Sequence, residues 1–385
     1  MLRFISLAIR KIKSGKEEKI LSLFTNWNSI VKSLPSYTPV SKKLLIIRLD
    51  DIGDYILFSN FLKEYKASSK WNDHEITLLG NIVWKDLFEM QNKDAVHKTL
   101  WIDKKQYLNN ESYRINIWTD LRNQGFETVI CPSRTRPLLL DDMCALASGA
   151  EKTIASANTF FYEEWNKLSD SLYTDLFFLK DIFVHEFLFN KLFTEWCCHV
   201  ALDNSNPRFE NLEKNATADD YIICFIGASA KSKRWTEKRW IELMKLISDN
   251  YQSKIFIAGG QADIKRANGI LSGSNAENIA GKTSLKEMID LIGNAKAVIT
   301  NDTMAAHAAV ACNTPVIIIA NGNNYYRFTN YSSLHLKNTI TVYPKIFLKK
   351  LKKSSPGLLH YEAVSADIAT IPAETVFQSL QKLLL

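Results

Sequence analysis

Apolar positions along the chain form two kinds of run. "KKLLIIRL" (42–49) is a continuous apolar stretch, the pattern of a strand buried on both faces. "GDYILFSNFLKEYK" (53–66) follows it with helical spacing. The pair recurs as "EITLLG" then "IVWKDLFEM", as "HKTLWI" then "YRINIWTDLRNQG", and as "ETVICP" before a helix near 136–148. Strands alternating with helices predict βαβ units and a parallel sheet. Residues 1–40 have a helical tendency and are closed off by Pro35 and Pro39.

Residues 160–200 break this rhythm. "TDLFFLKDIFVHEFLFNKLFTEW" is rich in Phe, with charges every four or five positions, and predicts an amphipathic helix on a core; a hydrophobic contact with an acceptor or membrane is the sharper reading. "DNSNPRFENLEKNATADD" (203–220) lacks an apolar period and reads as an interdomain linker. The alternation then restarts with strand "YIICFIG", helix "TEKRWIELMKLISDN" and strand "KIFIAGG", followed by a helix from about 262. Ser284 and Glu287 form a capping box that opens the next helix. Strand "AVIT", helix "MAAHAAVA", strand "PVIII" and a closing amphipathic helix "PAETVFQSLQKLLL" complete the chain.

This order predicts a basic N-terminal extension (1–40), a first Rossmann-like domain (41–205) and a second one (206–385). In such sheets ligands bind beyond the carboxyl ends of the strands, so those loops should carry the chemistry.

Composition narrows the picture further. A chain of 385 residues, 46% hydrophobic and 23% charged, is ordinary globular material. Six cysteines without C-x-x-C spacing argue against a disulfide framework or a zinc ribbon and for a reducing compartment. No apolar run reaches the ~18 residues of a membrane span. The start, "MLRFISLAIRKIKSG", has too short an apolar stretch for a secretion signal, so a cytoplasmic protein is expected. The net charge of +7 is uneven: residues 1–40 carry +5 and residues 337–353 carry +6, leaving −4 for the rest. Two basic segments would suit peripheral contact with an anionic membrane, or are simply solvated faces. No nucleic-acid motif accompanies them, so nucleic acid is not expected as a partner.

Four loops hold candidate chemistry. "RLDDIGDYI" (48–56) brings Asp50, Asp51 and Asp54 around Gly53; Asp54 stands where a helix dipole favours an ionised carboxylate able to take a proton, or caps the helix. "IGASAKSKRW" (226–235) offers Ser229, Lys233 and Arg234 beside a helix opening at Thr236, a set suited to a diphosphate, or a solvated basic turn. The spacing is not that of a Walker loop. "AGGQAD" (258–263) is a strand-end turn containing Gln261. "VITNDTMAAHAAVACNTPVIII" (298–319) places Asp302 and Thr303 at a helix N-terminus and His307 one turn on, on the same face; capping and interior packing would also explain them.

Together, "LLIIRLDDIGDYI", "IGASAKSKRWTEKRWIELM", "NIAGKTSLKEMIDLI" and "AVITNDTMAAHAAVACNTPVI" resemble the heptosyltransferase-like glycosyltransferases, family 9, of the GT-B fold, across roughly 43–340 and the terminal helix. The resemblance implies an inverting, metal-independent transfer of a sugar, often heptose, from a nucleotide-diphosphate donor to lipopolysaccharide core or a related cell-envelope glycan, without a cofactor. By position it implies Asp54 as base, Ser229 and Lys233 as phosphate contacts, and Asp302, Thr303 and His307 as the donor loop; Gln261 falls where some of these enzymes have an acidic residue reaching the ribose. Met304 replaces the usual Gly after the Asp-Thr pair, and "ANGNNYYRF", with Arg327, replaces the usual turn after the last strand. Alternatives are a non-catalytic nucleotide-sugar or glycan-binding module and a sugar-nucleotide epimerase. A dehalogenase-like phosphatase is remote, because no D-x-D-x-T follows the first strand.

Overall fold

The computed structural model describes residues 2–35, 38–158, 163–210, 212, 220–271, 276–353 and 365–385. Among the described residues, twelve strands form two six-stranded sheets. The first contains β1 (Val40–Arg48), β2 (Glu75–Asn81), β3 (Lys98–Ile102), β4 (Phe126–Cys131), β5 (Lys152–Ser156) and β6 (Asp175–Phe177), in the order β3-β2-β1-β4-β5-β6. The second contains β7 (Tyr221–Phe225), β8 (Lys254–Ala258), β9 (Ala276–Asn278), β10 (Ala297–Asn301), β11 (Val316–Ile319) and β12 (Thr339–Val342), in the order β12-β11-β10-β7-β8-β9. Every pairing is parallel. Each sheet has the doubly wound order, with its switch point between its first and fourth strands, so a crevice opens there at the strands' carboxyl ends. The expectation of two Rossmann-like α/β layers is borne out.

The uniformly apolar strands are buried on both faces; Leu44, Leu45, Ile46 and Ile47 of β1 are fully enclosed. On one face of the first sheet, Trp27 and Val31 of the helix Leu2–Lys32 pack with Tyr107 and Trp118. The C-terminal helix Ala373–Leu384 covers the second sheet through Val376, Phe377 and Leu380, against Trp240 and Ile247.

The two halves share one core cluster, because the helix Ile52–Ala67 lies on the helix Met304–Ala311. Alanines at 305, 306, 308 and 309 remove side-chain bulk, and this short helix is almost wholly buried. Gly53 does the same from the other side. A Cβ there would stand 2.8 Å from His307 Cδ2 and 3.5 Å from Met304 Cα, so the two helices meet at a distance only glycine permits. The crossing chain is pinned to both halves: Phe209 N–H donates to Ala311 O (2.9 Å), and Arg208 exchanges two hydrogen bonds with the Asn60 amide. Most of the segment read as a linker after residue 210 lies outside the described residues.

The long helix expected across 174–196 is corrected. Asp175–Phe177 is a strand paired with β5, Asp181 turns the chain by accepting from Phe183 N–H (2.8 Å), and the helix runs only over Glu186–Cys198. Its start is set by His185, whose Nδ1 accepts from Phe187 N–H. Charges every fourth residue mimic a helical period, and no Gly or Pro marks the break. Four short strands, β5, β6, β9 and β12, also escaped the apolar pattern. β12 lies within the basic segment 337–353, whose remainder forms the helix Lys345–Lys353.

Candidate active site

One cleft of about 660 Å³ opens between the halves at the carboxyl ends of β1, β7 and β10. Of the residues expected at the site, Asp54 lines it from the first half, and Ser229, Lys233, Asp302, Thr303 and His307 line it from the second. Two others turn away. Arg234 Nε donates to Ala228 O (2.8 Å), fixing its own loop. Gln261 Nε2 donates to Gly281 O (2.6 Å), where Gly281 has φ +69°. The lining carboxylate near Gln261 is instead Asp263, whose Oδ2 accepts from Gly260 N–H (3.0 Å).

The β1 loop is ordered by Arg48, which is fully buried. Its Nε meets Asp50 (2.7 Å), its Nη1 donates to Pro132 O (2.8 Å) and Asn190 Oδ1 (3.1 Å), and its Nη2 donates to the Asp54 carbonyl (3.3 Å). Asp51 occupies the N-cap position but forms no cap hydrogen bond; its carboxylate pairs with Lys104 (2.5 Å). Asp54 is therefore not the cap. It sits in the first helical turn with 22% of its side chain open to the cleft. Burial raises its carboxyl pKa, Arg327 opposes that, and Glu186 adds to it.

The two loops of the second half are joined by Asn301, which is fully buried. Its Nδ2 donates to Ile226 O (2.9 Å) and Gly227 O (3.1 Å), and its Oδ1 accepts from Trp235 N–H (3.2 Å). Asn301 thus holds the diphosphate-type loop against the helix Met304–Ala311. Thr303 caps that helix, its Oγ1 accepting from Ala305 N–H (3.3 Å). Lys233 Nζ lies 2.6 Å from Asp302. An ammonium has three donors, so this pairing leaves capacity toward the cleft.

His307 is buried, with Nδ1 against the Tyr331 hydroxyl (2.5 Å). Burial, helped by Lys233, lowers its pKa to about 3, so it is a neutral ring at pH 7. Beside it, buried His185 is likewise pushed down to about 3 by burial and by His307.

Arg327 belongs to this site although it was noted only as a departure in the last loop. It reaches from the turn Tyr325–Thr329 to Glu186 in the first half, with Nε 2.7 Å from Oε2 and Nη2 3.1 Å from Oε1. Burial alone would raise the Glu186 pKa, but Arg327 and Arg134 hold it below the usual carboxylate range.

Two doubly wound sheets facing across a cleft are the arrangement of the GT-B class of fold; here an acidic loop lies on one side of that cleft and a cationic loop on the other. Residues 190–345 match the model of glycosyltransferase family 9 (heptosyltransferase), which bears out the family resemblance for the three candidate loops inside that span. The chain is 37% identical over 95 residues to lipopolysaccharide heptosyltransferase 2 of Escherichia coli (strain K12), an alignment spanning 23% of this chain and 27% of that relative. It is 23% identical over 348 residues to the lipopolysaccharide core heptosyltransferase OpsX of Haemophilus influenzae (strain ATCC 51907 / DSM 11121 / KW20 / Rd), covering 84% and 91% of the two chains. The structure of E. coli heptosyltransferase WaaC with ADP-2-deoxy-2-fluoro heptose superposes with a TM-score of 0.64 at 14% identity, over 88% of this chain and 99% of that one.

Proposed function

We propose that this protein is an inverting glycosyltransferase that moves a sugar of the heptose class from a nucleoside-diphosphate donor to a lipopolysaccharide-core acceptor. The observation that carries the reading is the placement of one largely buried carboxylate, Asp54, in the same cleft as Lys233, Ser229 and the Thr303-capped helix. The acceptor hydroxyl attacks the anomeric carbon, and its proton passes to Asp54. The bond from that carbon to the diphosphate breaks, and its electron pair leaves with the nucleoside diphosphate. Lys233 and the backbone N–H groups at the start of Met304–Ala311 stabilise the charge gained by the leaving group. These groups supply the positive charge that a divalent ion would otherwise contribute, so no metal is needed in this scheme.

ADP-heptose is the donor we favour. The relatives named as heptosyltransferases and the ADP-sugar held by the WaaC structure support this choice. We also propose peripheral contact with an anionic membrane. Among the described residues no helix is long and apolar enough to cross one. The helix Lys345–Lys353 buries Phe347 while leaving Ile346 and Leu348 exposed among its lysines, a face able to lie on lipid headgroups. Expected outcomes are stabilisation by ADP-heptose above GDP-, UDP- or dTDP-sugars in a thermal-shift screen, and an inverted anomeric centre in the product by NMR. Retention of configuration would refute the mechanism.

A further inference from the structure

We propose that Arg327 is a positioning residue that completes the site from the second half of the chain: clamped on Glu186, it fixes the charge environment of Asp54, so the working site exists only when the two halves are engaged. This rests on the reading of Asp54 as the proton acceptor.

The geometry is that of a reach between bodies. Arg327 leaves a turn whose backbone is tightly set. Gly322 before it has φ +91°, and a Cβ there would collide with the Phe347 ring; Asn324 has φ +57°. Tyr325 packs on Tyr343 and Phe347, aiming the turn outward. The guanidinium then finds partners in the first half: the bidentate contact with buried Glu186, Thr135 Oγ1 at 3.3 Å, and Asp54 Oδ1 at 3.8 Å. The last distance is too long for a hydrogen bond, so Glu186 provides the geometry and Asp54 feels the charge. Arg134, 3.7 Å from Glu186, supports the anchor from behind.

The other groups facing Asp54 explain why it needs this cation. Besides Arg327, the charged groups that act on Asp54 are Arg48, Asp50, Asp51 and Glu186. Asp50 is paired with Arg48, and Asp51 with Lys104. Arg48 contributes charge but spends its fork on Asp50 and on carbonyl and amide oxygens. The walls of the cleft bury most of Asp54 and so disfavour its carboxylate; Arg327, reaching over from the second half, opposes that. An arginine suits the role because a planar fork can hold one carboxylate bidentately while its face and edge reach others.

The test reads Asp54 directly in the full chain labelled with 13Cγ-aspartate, its resonance identified by its loss in Asp54→Asn. In Arg327→Gln the titration midpoint of Asp54 moves to higher pH, and in Arg327→Lys, which keeps charge without the fork, it falls between the two. An unchanged midpoint in both variants overturns the proposal. In parallel, kcat/KM for sugar transfer falls by about tenfold or more at pH 7 in Arg327→Gln, and its acid limb moves up with the carboxyl. A drop with no movement of that limb would also overturn it. If the unaltered protein transfers no sugar from any nucleotide donor, the transferase reading fails while the titration still decides the role of Arg327.

Discussion

Replacing Gly53 by alanine separates engagement of the two halves from folding of either. The added methyl would lie 2.8 Å from His307 Cδ2, where carbons ordinarily rest at about 3.5–4 Å, so the ring must withdraw by roughly 0.7–1 Å. His307 has little room to do so, being buried and tied to Tyr331, itself buried. Overpacking of this kind costs about 1–3 kcal/mol. Alanine also favours the helix Ile52–Ala67 by up to about 1 kcal/mol, but that gain is present whether the cleft is open or closed and cancels from the closure equilibrium. The ratio of closed to open molecules should therefore drop by about 5–150-fold, and thermal stability should fall by no more than the part of this cost that the helix gain leaves uncovered. Small-angle scattering on the free protein reads the first effect as a larger radius of gyration, and the rate of sugar transfer should fall with it. Wild-type scattering and a wild-type rate in Gly53→Ala would refute the idea that this close approach sets the closed state.

Three further outcomes are expected. Lys233→Ala weakens ADP binding by about 1.5–3 kcal/mol in calorimetry, because a charged hydrogen bond is lost and Asp302 is left facing the diphosphate; an unchanged Kd would count against the phosphate role. Asn301→Ala lowers stability in urea by about 1–3 kcal/mol, since Ile226 O, Gly227 O and Trp235 N–H lose a buried partner; a neutral result would mean that the two loops hold themselves. His307 and His185 both have folded pKa values near 3 against about 6.5 unfolded, so the stability from their neutral rings is complete above pH ~6.5 and is lost as pH falls from there toward 3. His307→Asn should flatten that part of the Tm-against-pH curve, and a variant as acid-sensitive as the parent would contradict it.

Much of the fold was legible because buried parallel strands leave unbroken apolar runs, as in 44–47 and 316–319. β6 and β9, three residues each, were not, since a strand that short has no period to detect. The helix Glu186–Cys198 was extended too far backward because its cap is a histidine rather than Ser, Thr, Asp or Asn. At the site, strand-end position points to Asp54, Lys233 and Asp302, all of which line the cleft. Ser229, Thr303 and His307 followed from the same logic. Arg234 and Gln261 share the loops but spend their polar atoms on neighbouring carbonyls, which depends on χ angles that local sequence does not reveal. Arg327 and Glu186 were hidden for another reason: they are 141 positions apart and meet only when the halves do. The one signal available was a lone arginine in a loop otherwise made of Asn, Gly and aromatic residues.

In the proposed reaction one carboxylate takes the acceptor's proton while the opposite wall holds the diphosphate. Asp54→Asn tests it most directly, because the amide keeps the shape and hydrogen-bonding reach of the side chain and removes its basicity. The expected result is a fall in kcat of about 10²–10⁴-fold with ADP affinity unaltered in calorimetry. An asparagine variant that turns over at close to the parent rate would contradict it.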